Sequence, residues 1–401
     1  MERHSIVIVG AGPAGTATAL FLVHRAPELA SEILLLDKAV HPRFKVCAGG
    51  LIPHTVACLE ELKVPLDPDA VQVDKAVART TFGIVEYEQE RACTVVRRDR
   101  FDATLVAACE SRGVRVRQGE RVVEVERDGY LVRVTSERNT YVADIVVGAD
   151  GAGSIVRRRI FGQFEARFGR AIMTDVAVPQ PILSGRVHEL TATCQLDFRP
   201  VAGGLRGYAW IFPCSISGAL HWNVGVYASR AAGQGSRMKR LLQQLLDELQ
   251  VTAGRVYAHP IPLFHHKARL ASGQVLLVGD AVGVDPLLGE GISYAFEFGR
   301  HAAESILAAY KRGDAVVEDY ERRIQRGWLG RKLRRLHWLE QRFYGWDWRL
   351  WFWLAARSER ARALGLHWYN GVEGLDQLSV IQAGLRWWRK RQFCVTKRVG
   401  A

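Results

Sequence analysis

The sequence predicts an α/β fold: a Rossmann-like domain interleaved with an antiparallel β-sheet domain, followed by a helical C-terminal region. Three observations carry this. The chain opens "SIVIVGAGPAGTATALFL", an apolar strand, a glycine-rich loop and then a helical pattern. Two later segments, "ADIVVGADGAG" and "GQVLLVGDAVG", repeat the strand-then-glycine theme around residues 150 and 280. Between them, "AIMTDVAV", "ELTATCQLDF", "YAWIFP" and "LHWNVGVYA" alternate apolar and polar residues, the period of strands with one covered face.

At 401 residues the chain is too long for one ordinary core, so two or three lobes are expected. Seven scattered cysteines, odd in number and without a C-x-x-C pair, argue against a disulfide framework or a zinc site and for a reducing compartment. No basic-then-apolar leader opens the sequence, and no run approaches the ~18 apolar residues of a membrane span. The expected location is cytoplasmic, with at most a peripheral contact at the inner face of a membrane. His265-His266 lacks the carboxylate and spacing of a metal site and reads as a strand-edge pair, so no metal is expected.

In the first loop, Gly10 permits the tight turn, and Gly12 lets the backbone approach a pyrophosphate. Ala14 and Gly15 open the helix, and Gly15 lets it pack close to the strand. A pyrophosphate would rest on the free N–H groups of the helix N-terminus. The second strand, "SEILLLDK", ends at Asp37-Lys38, with Asp37 placed 22 residues after Gly15, where an acid accepts hydrogen bonds from an adenosine ribose. The signature indicates a dinucleotide. Further on, "ADIVVGADGAGSIVRR" carries Asp150-Gly151. "GQVLLVGDAVGVDPLLGEGISYAFEFGRHAAESI" carries Gly279-Asp280 and a broken loop through Gly289 and Gly291 into a helix near Ile292.

Taken in order over residues 1–310, these segments resemble the FAD-binding signatures of the p-hydroxybenzoate-hydroxylase-like flavoproteins, and "VVRRDRFDATL" fits that family's R-x-x-F-D pattern. The resemblance implies FAD as cofactor, Arg98 on its flavin side and Val122 among its contacts. Asp280 suits a ribityl hydroxyl, with a plain helix N-cap as the other reading. The helix starting at Gly289–Ile292 would aim its dipole at the N1/C2=O edge of the flavin.

Two further segments narrow the family. "HPRFKVCAGGLIP" sets Arg43, Lys45, Cys47, Ala48, Gly49 and Gly50 between the first two glycine segments. "GLRGYAWIFPCS" sets Tyr208, Trp210 and Phe212 at every second position, hence on one face of a strand, before Pro213. Together they resemble the geranylgeranyl reductase family, with its K-x-C-G-G segment near the flavin and its P-x-x-Y-x-W-x-F-P strand lining a prenyl pocket. Leu205 stands where that family has the leading proline.

The resemblance implies reduction of a carbon–carbon double bond in a prenyl or similar apolar substrate: a hydride from reduced flavin reaches one carbon and a proton the other. Cys47 and Tyr208 are the candidate catalytic groups. Lys38, Lys45, Cys47, Ala48 and Gly49 join the cofactor site, and Tyr208, Trp210 and Phe212 line the substrate, unless those rings are simply the core face of a sheet. A flavin-dependent monooxygenase or halogenase on the same scaffold is the alternative, and a non-catalytic prenyl-binding escort a second. No second complete G-x-G-x-x-G is present. NAD(P)H, if it is the reductant, would therefore bind transiently, and a ferredoxin-like donor is equally open.

The expected division is a discontinuous FAD-binding domain (1–75, 95–160 and 270–310), an antiparallel-sheet substrate domain (165–265) and a basic Trp-rich helical region (318–401). From Glu321 to the end stand 18 Lys or Arg against 6 Asp or Glu, so nearly all of the +13 net charge belongs there, with nine of the eleven tryptophans. That composition suits a headgroup interface, or a helical cap over the substrate pocket. No recognition motif accompanies the charge, and nucleic acid is not expected as a partner. Nothing in the sequence indicates an oligomeric state.

Overall fold

The computed structural model describes residues 1–162, 167–179, 193–370 and 382. Trp387 and Trp388, and the first residues of the run from Glu189, lie outside them. The strands in chain order begin with β1 (Glu2–Val9), β2 (Ile33–Leu36), β3 (Gly50–Leu51), β4 (Val71–Thr80), β5 (Gly83–Val95), β6 (Arg115–Arg117), β7 (Val122–Asp128) and β8 (Leu131–Ser136). They continue with β9 (Thr140–Gly148), β10 (Arg167–Ala177), β11 (Thr193–Asp197), β12 (Gly207–Ile216), β13 (Ala219–Ala228), β14 (Tyr257–Leu263), β15 (Ala271–Ser272) and β16 (Val275–Leu277).

These form two sheets. The first runs β15-β16-β9-β1-β2-β6, with the β7–β8 hairpin attached to β9. Its centre is parallel, Ile6–Val9 pairing with Ile33–Leu36 on one side and Ile145–Gly148 on the other. Residues 33–36 and 145–148 are all buried, as a sheet covered on both faces requires. Helices α1 (Pro13–Arg25) and α2 (Pro53–Glu61) follow β1 and β3, and α3 (Arg98–Glu110) follows β5. One face is sealed by α1 against a long helix, which requires Gly299: a Cβ there would lie 2.8 Å from the Thr18 nitrogen.

The second sheet runs β14-β10-β13-β12-β11-β4-β5-β3 and is antiparallel except where β11 meets β4. Its far face is covered by α4 (Gly235–Glu248), whose Met238, Leu242, Leu245 and Leu246 are buried against Trp222, Val224 and Val226. The sheet is wider than the sequence suggests. β3, β4 and β5 belong to it, so the first cofactor segment gives way near residue 49 rather than 75. The burial pattern of β4 alternates only loosely, and its neighbour β11 lies more than a hundred residues away.

The remaining helices are α5 (Ile292–Arg312), α6 (Asp319–Arg326), α7 (Trp328–Phe343), α8 (Trp348–Arg357) and α9 (Glu359–Asn370). They pack back onto the body. Leu329, Leu333, Leu336, Tyr344, Phe352 and Trp368 join the main core. Glu340 on α7 is fully buried and accepts hydrogen bonds from Arg206 at 3.0 Å and Ser229 at 2.6 Å, fastening the helix to the second sheet.

Candidate active site

A cavity of about 720 Å³ opens where the two sheets meet. Most of the residues singled out in the sequence line it: Gly10, Gly12, Ala14, Asp37, Lys38, Lys45, Cys47, Arg98, Val122, Asp150, Gly151, Asp280, Gly289, Gly291 and Ile292. Gly15, Ala48, Gly49 and Gly279 stand behind that lining. A Cβ on Gly15 would fall 1.9 Å from the Gly10 carbonyl oxygen, and one on Gly49 would fall 2.0 Å from that of Val96. Gly279 sits against Ala14. These glycines let backbones approach and so shape the cavity from outside.

The polar groups around the cavity fit a dinucleotide. Asp37 Oδ2 accepts from the Ala11 N–H and Oδ1 from the Ala39 N–H, both at 2.7 Å, and each oxygen keeps a lone pair for a ribose hydroxyl. Asp150 Oδ2 accepts from Ile155 and Val156, while Oδ1 is buried with no protein partner. Burial pushes the Asp150 pKa up, against the hydrogen bonds it accepts. Arg157 donates to the carbonyls of Ala152 and Ala281, both at 2.9 Å, locking the second and third glycine segments together.

Opposite them, Arg98 grips the buried Asp102 through two bonds of 2.8 and 2.9 Å, and Arg43 reaches the same carboxylate at 3.0 Å. One buried carboxylate thus holds two guanidinium groups at the cavity wall. Cys47, which lines the cavity with Arg98, accepts from the Gly49 N–H at 3.3 Å through its Sγ.

The sheet-side wall is formed by Ala171, His259, Pro260 and Ile261. Here the structure differs from expectation. Tyr208, Trp210 and Phe212 do share a face of β12, but none lines the cavity. The Tyr208 hydroxyl donates to the Leu288 carbonyl at 2.6 Å, and the ring packs against Phe198, Trp210 and Tyr227. Burial pushes its pKa far above the usual phenol value. A phenol so held is a poor proton donor. Trp210 donates to Asn223 at 2.7 Å, its indole pressed over Gly225, where a Cβ would meet it at 2.2 Å. Phe212 lies edge-on to Gly50, 2.9 Å from a Cβ there. Tyr208 and Trp210 are buried in the main core, and Phe212 is half-buried against it.

The loop before α5 is held by hydroxyls. Tyr208, Tyr344 and Tyr227 donate to the carbonyls of Leu288, Leu287 and Pro286 respectively, and Tyr369 donates to Asp285 at 2.8 Å. Asp285 is fully buried, and burial outweighs its donors to raise its pKa to about 6. Sequence reading did not anticipate this clasp, because Tyr344 and Tyr369 come from the Trp-rich helices. Those helices therefore act as a cap within the molecule.

His54, Cys58 and Glu297 bring ligand atoms within 4.8 Å of one another. Arg300 already supplies a cation there, 3.2 Å from Glu297 and 3.3 Å from Cys58. Burial opposes a charge on His54, but hydrogen bonds to Cys58 and Glu297 outweigh it and raise its pKa to about 10.

With this geometry in hand, known proteins decide the family. A family model described as an FAD binding domain matches residues 3–328. The chain belongs to that family. It is an FAD-dependent oxidoreductase. It is 30% identical over 319 residues to a menaquinone reductase of Mycolicibacterium smegmatis, covering 75% of this chain and 76% of that one. It is 28% identical over 355 residues to a chloroplastic geranylgeranyl diphosphate reductase of Oryza sativa, covering 80% and 70%. Among solved structures, a geranylgeranyl bacteriochlorophyll reductase-like protein of Thermoplasma acidophilum superposes with TM-score 0.72 at 20% identity, over 86% of this chain and 88% of that one. A flavin-dependent brominase superposes with TM-score 0.71 at 17% identity, over 97% and 99%. The fold is thus common to reductases and halogenases.

Proposed function

We propose that this FAD-dependent oxidoreductase reduces carbon–carbon double bonds in the isoprenoid chain of a lipid-like substrate. The observation that carries the reading is the continuity of the cavity: its lining passes from the cofactor loops to Val46, Cys47, Ala171, Ile261 and Val284. Apolar ground beside Arg98 and Cys47 suits a hydrocarbon chain, each buried CH₂ of which contributes roughly 0.8 kcal/mol. The relatedness to a menaquinone reductase and a geranylgeranyl diphosphate reductase, both acting on molecules with prenyl chains, supports the same class.

Bound FAD would supply the hydride chemistry. The chain's own residues do the rest. Asp37 and Asp150 receive the cofactor's polar groups, and Gly10, Gly12 and Gly151 leave room for it. Cys47 and the apolar wall position the alkene and exclude water. A peripheral contact with anionic lipid belongs to this reading, because the substrate class resides in membranes. Trp346 is 86% exposed, and Trp338, Leu350 and Trp353 are exposed near it on the outer side of α7 and α8.

An anaerobic experiment tests the reading. Dithionite-reduced enzyme is mixed with a panel of polyprenyl lipids whose head groups cannot themselves be reduced, and the flavin band near 450 nm is followed. Reoxidation with a product two hydrogens heavier is the expected result. Failure with every substrate, together with substrate-linked oxygen consumption in air, would move the protein to the monooxygenase or halogenase class that shares its fold.

A further inference from the structure

Two residues on opposite sides of the cavity touch, and the mechanism so far uses neither. Lys45 lies in the segment between β2 and β3, and His259 on β14 of the second sheet. The Lys45 Nζ is 2.5 Å from the His259 Nε2, and both line the cavity with Cys47 and Asp280. The contact is built by a second one. Phe44 packs on Tyr257 with centroids 4.4 Å apart, so successive residues of the loop meet alternate residues on one face of β14. The next residue on that face, Ile261, belongs to the cavity wall.

Because an ammonium nitrogen only donates, the partner His259 nitrogen must be unprotonated. The pair then holds one shared proton beside the apolar wall. We propose that Lys45 and His259 form the proton relay for double-bond reduction, Lys45 giving the proton and His259 returning it from solvent. This rests on the alkene-reductase reading above. The step balances. The hydride would leave the reduced flavin, which is oxidised by two electrons as its N–H bond breaks, and form a C–H bond at one alkene carbon. One Lys45 N–H bond breaks as a C–H bond forms at the other, leaving a neutral amine that regains its proton through the imidazole.

The surroundings suit the task. Burial lowers the Lys45 pKa to about 8. Asp280 opposes that shift, and Arg98 and Arg43 reinforce it. Burial, then the adjacent Lys45 charge, lower His259 to about 4, again with Asp280 opposing and Arg98 and Arg43 assisting. Near neutral pH the proton therefore sits on Lys45, whose acidity lies close to working pH, where general acids are most effective. Tyr208 is committed to Leu288 and does not compete for this role.

The test has two parts on the FAD-loaded protein. Histidine-selective NMR reads the His259 titration directly. We expect a midpoint near 4 in the wild type and a rise of at least one unit in Lys45→Met. A wild-type midpoint near 6.5 would overturn the pairing. Anaerobic reoxidation by the prenyl substrate reads the chemistry. The wild-type rate should fall above pH 8 as Lys45 loses its proton. Lys45→Met and Lys45→Arg should each lower it about 100-fold, since a guanidinium keeps the charge but does not release a proton. His259→Gln should lower it about tenfold. Retention of rate by Lys45→Arg would mean that charge alone matters, and the relay would fall. If no prenyl lipid reoxidises even the wild type, the proposed function fails, a result distinct from any variant's behaviour.

Discussion

At the scale of single residues, the site depends on atoms that are missing as much as on those present. Gly15 has no room for a methyl, because the Gly10 oxygen would stand 1.9 Å from it. Gly15→Ala should therefore push the helix off the loop. The cost of such overpacking, ~1–3 kcal/mol, corresponds to a loss of roughly 5- to 150-fold in FAD affinity if it falls wholly on the bound state. Gly254→Ala, with no atom within 4 Å of the added carbon, is the matched control. Fluorescence titration of the FAD-stripped protein compares them, and equal affinity would show that the close approach is unimportant. Gly10, Gly15, Asp37 and Asp150 were legible in the sequence because each works within its own strand–loop–helix unit. His259 was not. Its partner is 214 residues away, and only the pairing of β14 with β10 brings it to the cavity.

At the scale of elements, the C-terminal helices are best understood through the loop they hold. Tyr344 precedes α8 and Tyr369 lies on α9, yet both hydrogen-bond the 285–291 loop, whose Gly289 and Gly291 line the cavity. Each such bond contributes ~1 kcal/mol; without Tyr344 the Leu287 carbonyl loses its donor, whereas Asp285 Oδ2 keeps the Leu288 N–H at 3.1 Å. The double substitution Tyr344→Phe/Tyr369→Phe should cost roughly 2 kcal/mol, seen as a lower melting temperature and faster release of FAD on dilution. Unchanged melting and release would reduce the clasp to decoration. The sequence identified these segments as helical, basic and Trp-rich. It did not distinguish an internal cap from an external contact, because both use amphipathic aromatic helices. It likewise set Tyr208, Trp210 and Phe212 on one face without revealing what covers that face. Phe352, 5.8 Å from Phe198, extends the same aromatic layer and comes from α8, far along the chain.

At the scale of the whole molecule, the cap presents a second face outward. Trp338 and Trp346 flank the Arg342 guanidinium at 5.3 and 5.9 Å, with Leu350 and Trp353 exposed nearby. No helix among the described residues is long and apolar enough to cross a membrane. A peripheral contact predicts that the enzyme floats with vesicles containing anionic lipid, less so at high salt. Trp346→Ser/Trp353→Ser should reduce the bound fraction about fivefold without changing the melting temperature. Wild-type protein that stays with the soluble fraction at low salt would remove this part of the reading.

The chain's path between its two sheets has a consequence for how the enzyme holds together. It leaves the first sheet after β2, returns for β6–β9, departs again for β10–β14 and comes back for β15 and β16. Three of these four passages carry cavity residues: Lys38 to Cys47, Arg98, and Asp150 to Arg158. Neither lobe could be cut out and expressed alone, since each is threaded through the other. A molecule seated among those passages acts as a rivet through both lobes, so cofactor occupancy should set the resistance of the entire protein to unfolding.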